Sequence, residues 1–354
     1  MNYVTQLTFF RFLAAVLVVV FHYGHTTYPF NTSLIRQLLS HGQVAVSFFF
    51  FLSGVVLTIN YLNAPNLSFK SFFLKRIARI YPIYILAFAS TLLLTIFING
   101  SRPSVISIIL QAFSVHAWVP KFALQINYPS WSIAVEVFFY LLFPVLVQYL
   151  NKKAFDKQIL LIVVFWIIST TISFLLNTYY YQPNTTNFGK FLMYFPLLHL
   201  NTFLVGILAG IVLLKFKEKA EKLRWFSRLS YLLGMVIIFL LFTNKTSLAL
   251  YMNNGLLSPL FFMIIVGIAF DVSPLTKTLS NKFLVFLGNS SYSIYILQYP
   301  VYILMQTVLQ EKVFQGKAFY LYLTTLLLIS GLLYTFFEKK ARFLLLSRWQ
   351  LTKK

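Results

Sequence analysis

Cysteine is absent from this chain, and acidic residues nearly so: seven Asp and Glu stand among 354 residues. The first absence excludes a disulfide framework, a thiolate nucleophile and any Cys-ligated metal site. The second means that each carboxylate can be weighed singly. No Gly-rich phosphate loop, His-Glu-x-x-His helix or zinc-ligand cluster occurs, so the sequence offers no metal site and no permanently bound cofactor. Charge of either sign is scarce, at 10% of residues, against about 25% in a soluble domain. The N-terminus lacks the basic flank and small-residue cleavage site of a signal peptide, and reads as a retained first span.

What fills the sequence is apolar: 59% is hydrophobic and 40 residues are Phe. This composition specifies an all-α, polytopic integral membrane protein with about ten spans. They are expected near residues 7–24, 43–60, 78–98, 131–150, 158–177, 199–215, 229–243, 249–270, 291–310 and 318–337. The stretch 104–119 is apolar but short, and reads as re-entrant or interfacial. Residues 1–340 form one transmembrane domain, and 341–354 a short basic tail.

A net charge of +22 in a soluble protein would suggest nucleic acid. Here the membrane accounts for it, because basic residues collect in cytoplasmic loops. With both termini cytoplasmic, 21 Lys and Arg fall on the inner side and seven on the outer. That split fixes the orientation and favours an even number of spans. Nucleic acid is not an expected partner, and membrane lipid is.

Arg11 and His22 share the apolar run LTFFRFLAAVLVVVFHYG. An arginine at mid-membrane costs about 2.5–3.5 kcal/mol on insertion scales. Eleven α-helical steps end about 20° past three full turns, so the two residues share a face about 16 Å apart. Either alone reads as a snorkelling or capping residue; together they read as functional. Of the carboxylates, Asp156, Glu218, Glu221, Asp271, Glu311 and Glu338 read as surface charges at loops or span ends. Glu136 differs, lying within PSWSIAVEVFFYLLFP at a depth similar to His22, with Ser132 one turn earlier on the same face. The expectation is that carboxylate and imidazole meet. In FLKRIARIYPIY, Arg76 and Arg79 are helical neighbours with Lys75 beside them. They fit either positive-inside anchoring or a clamp on a phosphorylated cytosolic ligand. His25, His41, His116 and His199 read as structural or interfacial.

Five ordered stretches resemble the membrane acyltransferase-three family over nearly the whole length. They are Arg11-x10-His22, GQVAVSFFFFLSG from Gly42 to Gly54, Arg76-x-x-Arg79, WSIAVE from Trp131 to Glu136, and GNSSYSIYILQYP from Gly288 to Pro300. One departure is Gln298, where many members carry His. The resemblance implies a stand-alone bacterial inner-membrane O-acyltransferase without an extracytoplasmic domain. It would move an acyl group, most often acetyl, from cytosolic acyl-CoA to a hydroxyl of a cell-envelope carbohydrate or lipid-linked sugar. The acyl-CoA is a co-substrate. His22 would be the general base supported by Glu136, with Arg11 near the donor path, and Lys75, Arg76 and Arg79 would hold CoA phosphates. An acyl-His22 intermediate is the covalent variant. The alternative is a transporter or translocase of lipid-linked glycan, since intramembrane charges also mark substrate paths.

Overall fold

The computed structural model describes residues 3–64, 68–180, 182–183, 185–243, 252–271, 273 and 278–351. The start of the expected 249–270 span, Lys245, Lys277 and the last three residues of the basic tail lie outside them. Among the described residues all regular structure is helical.

The helices are α1 Tyr3–Val19, α2 Ser33–Leu39, α3 Val44–Tyr61, α4 Phe69–Phe97, α5 Val105–Ala112, α6 Trp131–Asn151 and α7 Phe155–Tyr180. They continue with α8 Asn187–Tyr194, α9 Leu200–Lys215, α10 Arg224–Thr243, α11 Ser258–Phe270, α12 Lys282–Leu309, α13 Lys317–Leu333 and α14 Lys339–Leu351. Among the described residues, eight helical stretches are long and apolar enough to cross a membrane. Two expected spans fall outside that set. Ser258–Phe270 is apolar but has 13 residues. Lys282–Leu309 has 28 residues, but its Asn, Ser, Tyr and Gln side chains make it more polar than the eight.

The third span starts earlier than expected, at Phe69, because Ser68 caps it by accepting from the Ser71 N–H at 3.4 Å. Arg76 and Arg79 therefore lie within α4. The last span continues past 337 through a π-helical turn, Tyr334–Glu338, into α14.

Burial orders the bundle. The apolar stretch of the α8–α9 span is 78% buried, against 11% for α7 and α10, so α9 is central and α7 and α10 peripheral. Between apolar helices in lipid, close packing replaces hydrophobic driving force, and small residues permit it. α3 and α9 show this: a Cβ on Gly54 would lie 2.3 Å from the Phe203 carbonyl oxygen, and one on Gly206 2.1 Å from that of Phe51. Non-helical backbone near α11 is also satisfied by protein. Gly255 has φ 94°. Its carbonyl accepts from Trp166 Nε1 at 2.7 Å, and the Asn254 carbonyl from Asn201 Nδ2 at 2.8 Å. Irregular backbone at membrane depth needs such partners.

Candidate active site

α1, α3, α4, α6 and α12 converge on a cavity of about 60 Å³ lined by Arg11, Ser53, Arg76, Arg79, Glu136 and Tyr140, among others. A water needs roughly 10–15 Å³ of such volume, so the space is wet or ligand-filled. Three guanidiniums face one carboxylate here, giving an electropositive chamber.

Glu136 and Arg76 are held by hydrogen bonds. Tyr140 donates to Glu136 Oε1 at 2.5 Å and Ser53 Oγ donates to the same oxygen at 3.2 Å. Arg76 is 7% exposed. It donates to the Tyr61 hydroxyl at 2.9 Å and lies 5.3 Å from that ring's centroid and 5.8 Å from that of Phe72. Aromatic faces hold a guanidinium without quenching its charge. Among the described residues the buried Arg76 Nε–H has no hydrogen-bond partner, leaving a donor for an anionic ligand. Arg11 interacts electrostatically with Arg79, Glu136 and Glu338. Lys75 is exposed and does not line the chamber.

His22 lies elsewhere. It occupies a π-helical turn, Val20–Gly24, that ends the first span; such turns recur at functional sites. Its ring meets Tyr128 edge-on at 5.1 Å and Phe21 at 4.9 Å. It lines a second cavity of about 320 Å³ with Gln43, Trp131, Tyr194, His199 and Tyr295. Glu136 is not among that lining. Glu136 instead lines the chamber with the arginines, where it interacts electrostatically with Arg11. Glu136 lies at the level of Arg11, while His22, eleven residues further along the first span, is level with Tyr128 and Trp131, so the expected common depth of Glu136 and His22 does not hold.

Other expectations resolve similarly. Glu338, read as a surface charge, is 7% exposed; it accepts from Ser293 Oγ at 3.3 Å and interacts with Arg79 and Arg11. Asp271 is buried and pairs with Arg228 at 3.3 Å. His116 is fully buried, its Nε2 3.1 Å from Ser130 Oγ. Neither lines a cavity described above, so this Ser–His pair is structural. His199, also read as structural, lines the His22 cavity. Its Nε2 lies 3.1 Å from the Met193 carbonyl, which can only accept, so Nε2 carries the hydrogen. Gln298 is fully buried and its Nε2 donates to the Tyr295 carbonyl at 2.7 Å. Ser53 and Tyr295 lie inside stretches that carry the resemblance, but the sequence assigns them no role, and Tyr140 stands four residues after Glu136.

A family model described as an acyltransferase domain matches residues 4–337. The chain belongs to this family, the acyltransferase-three family. It is a multi-pass membrane protein with an acyltransferase domain. It is similar to a Staphylococcus aureus (strain COL) protein named "Putative O-acetyltransferase", 24% identical over 366 residues covering 97% of this chain and 58% of that one. It is also similar to the O-acetyltransferase OatA of Staphylococcus aureus (strain NCTC 8325), 22% identical with 96% and 57% covered. The chain thus spans under three-fifths of the length of these curated relatives. No solved structure matches it.

Proposed function

We propose that the protein transfers an acyl group, most simply acetyl, from acyl-CoA to a hydroxyl of an envelope carbohydrate or lipid-linked sugar at a bacterial inner membrane. The observation that carries this reading is the pair of cavities. One is lined by three arginines and a carboxylate, the other by His22 among aromatic rings, and they share the residue Tyr295.

In this reading the arginine chamber receives the donor. Guanidinium forks match phosphate and pyrophosphate geometry and stay charged at any working pH. Arg76 and Arg79 bind donor phosphates, and Glu136 keeps Arg11 and its neighbours oriented. The His22 cavity receives the acceptor, since Trp131, Tyr194 and Tyr128 offer flat faces for sugar rings. His22 removes the proton from the acceptor hydroxyl as the oxygen attacks the thioester carbonyl. The C–S bond then breaks, the sulfur leaves with its electron pair and takes a proton, and the products are an ester and free CoA. The charge asymmetry of the loops supports an arginine chamber facing the cytosol and both termini inside.

The test is transfer of labelled acetyl from acetyl-CoA in proteoliposomes supplied with extracted envelope carbohydrate. General-base catalysis is worth about 10²–10⁴-fold, so His22→Ala is expected to lose at least a hundredfold in rate. Full activity in that variant overturns the role of His22, and no labelled product with wild type overturns the reaction.

A further inference from the structure

We propose that Tyr295 is the septum between the two cavities and the residue that limits the size of acyl group able to cross. Among the described residues lining the arginine and histidine cavities, Tyr295 alone belongs to both. Its neighbours divide by side: Ser132 lines the arginine chamber, and Pro129 and Trp131 line the other.

The ring is 5% exposed and held at both ends. Its hydroxyl donates to the Pro129 carbonyl at 3.0 Å and accepts from Ser132 Oγ at 2.9 Å. Its ring packs edge-on against Phe49, a wall of the arginine chamber, with centroids 5.7 Å apart. Three residues earlier on α12, Tyr292 donates to the Ile80 carbonyl at 2.9 Å and pins that helix to α4. With the backbone fixed, opening falls to the Tyr295 side chain. Two neutral hydrogen bonds make a weak latch, so the ring closes the passage at rest and yields to a ligand that competes for Ser132 or Pro129. The room left by the displaced ring sets the acyl size. That half of the proposal rests on the donor reading above; the septum itself does not.

A chain without cysteine permits a direct test. Val56→Cys places a thiol in the arginine chamber and Gln43→Cys one in the histidine cavity. Sealed vesicles are treated with a membrane-impermeant methanethiosulfonate from the histidine-cavity face. Gln43→Cys is expected to react and Val56→Cys to stay at background. Adding Tyr295→Ala is expected to raise Val56→Cys labelling at least tenfold, while Tyr295→Trp leaves it low. Unchanged Gln43→Cys labelling in the Tyr295→Ala background confirms folding. Should that variant not fold, Tyr295→Phe, which keeps the ring and loses the latch, is expected to give intermediate labelling. Equal Val56→Cys labelling with Tyr295 and with Tyr295→Ala, or with Tyr295→Phe where Tyr295→Ala does not fold, overturns the septum. In the second arm, Tyr295→Ala is expected to raise the ratio of butyryl to acetyl transfer at least tenfold. An unchanged ratio overturns the size limit. Absence of transfer from either thioester with wild type refutes the donor reading and leaves the labelling result standing.

Discussion

Tyr140 donates its phenolic hydrogen to Glu136 Oε1 at 2.5 Å, one turn away on the same helix. Ser53 of α3 donates to that oxygen from across the interface at 3.2 Å. The carboxylate is thus fixed between two helices, on the wall of a chamber that holds three arginines. A buried charge of one sign is tolerable when its partners are fixed, and removing one partner is costly because the others are left uncompensated.

Glu136→Gln tests that balance. The amide keeps the shape and removes the charge, leaving Arg11, Arg76 and Arg79 to repel one another. The expected result is at least a hundredfold fall in acyl-transfer rate in proteoliposomes, with the protein still eluting as a folded species in detergent. Tyr140→Phe removes one hydrogen bond to a charged group, worth about 1.5–3 kcal/mol, and is expected to slow transfer by roughly ten- to a hundredfold on that scale. Wild-type rates in both variants contradict the arrangement.

The contact of α3 with α9 makes a second prediction. A methyl group on Gly54 would meet the Phe203 carbonyl at 2.3 Å and one on Gly206 the Phe51 carbonyl at 2.1 Å. Both obstacles are backbone, so the helices must part. Overpacking of this kind costs about 1–3 kcal/mol or more. Gly54→Ala and Gly206→Ala are each expected to lower the thermal midpoint in detergent by several degrees, and Gly54→Leu to abolish the folded species. Gly100, whose Cβ would meet nothing within 4 Å, has a φ of +65°; Gly100→Asn, a residue that tolerates that conformation, serves as the mild control.

His116 makes a prediction about acid. Burial pushes its imidazole down from 6.5 to about 3, so the folded protein keeps it neutral where the unfolded chain protonates it. Between pH 6.5 and 3 the unfolded state binds the extra proton. Stability therefore falls as pH drops through that window, by about 1.4 kcal/mol per pH unit from this group. His116→Gln is expected to flatten the decline of the thermal midpoint between pH 6.5 and 4, measured by intrinsic fluorescence. An unchanged slope contradicts the burial argument.

Periodicity and charge made much of the scaffold legible. The apolar runs located the helices, and rare charges inside them pointed to Arg11, Arg76, Arg79 and Glu136, which the fold brings into one chamber. What they could not supply was the relative offset of α1 and α6. Glu136 comes to the level of Arg11, against α3 and α4, while His22 meets the start of α6 at Tyr128 and Trp131. Boundaries failed where caps and turns override hydropathy: Ser68 starts α4 early, and a π turn carries the last span into its tail. Glu338 was mistaken for a surface charge because the sequence ends its apolar run there, whereas the fold buries it against Ser293. Tyr295 falls inside the stretch from Gly288 to Pro300 that carries the resemblance, but its place between two cavities is visible only in the fold.

The division of labour between the two cavities separates donor binding from chemistry. Binding of acetyl-CoA and acetyl transfer, measured side by side for His22→Ala and Arg79→Ala in nanodiscs, resolve the two. His22→Ala is expected to bind acetyl-CoA within threefold of wild type while transferring no acetyl. Arg79→Ala is expected to weaken binding at least tenfold. Loss of acetyl-CoA binding in His22→Ala together with wild-type binding in Arg79→Ala would contradict the assignment of donor to the arginine chamber and base to His22.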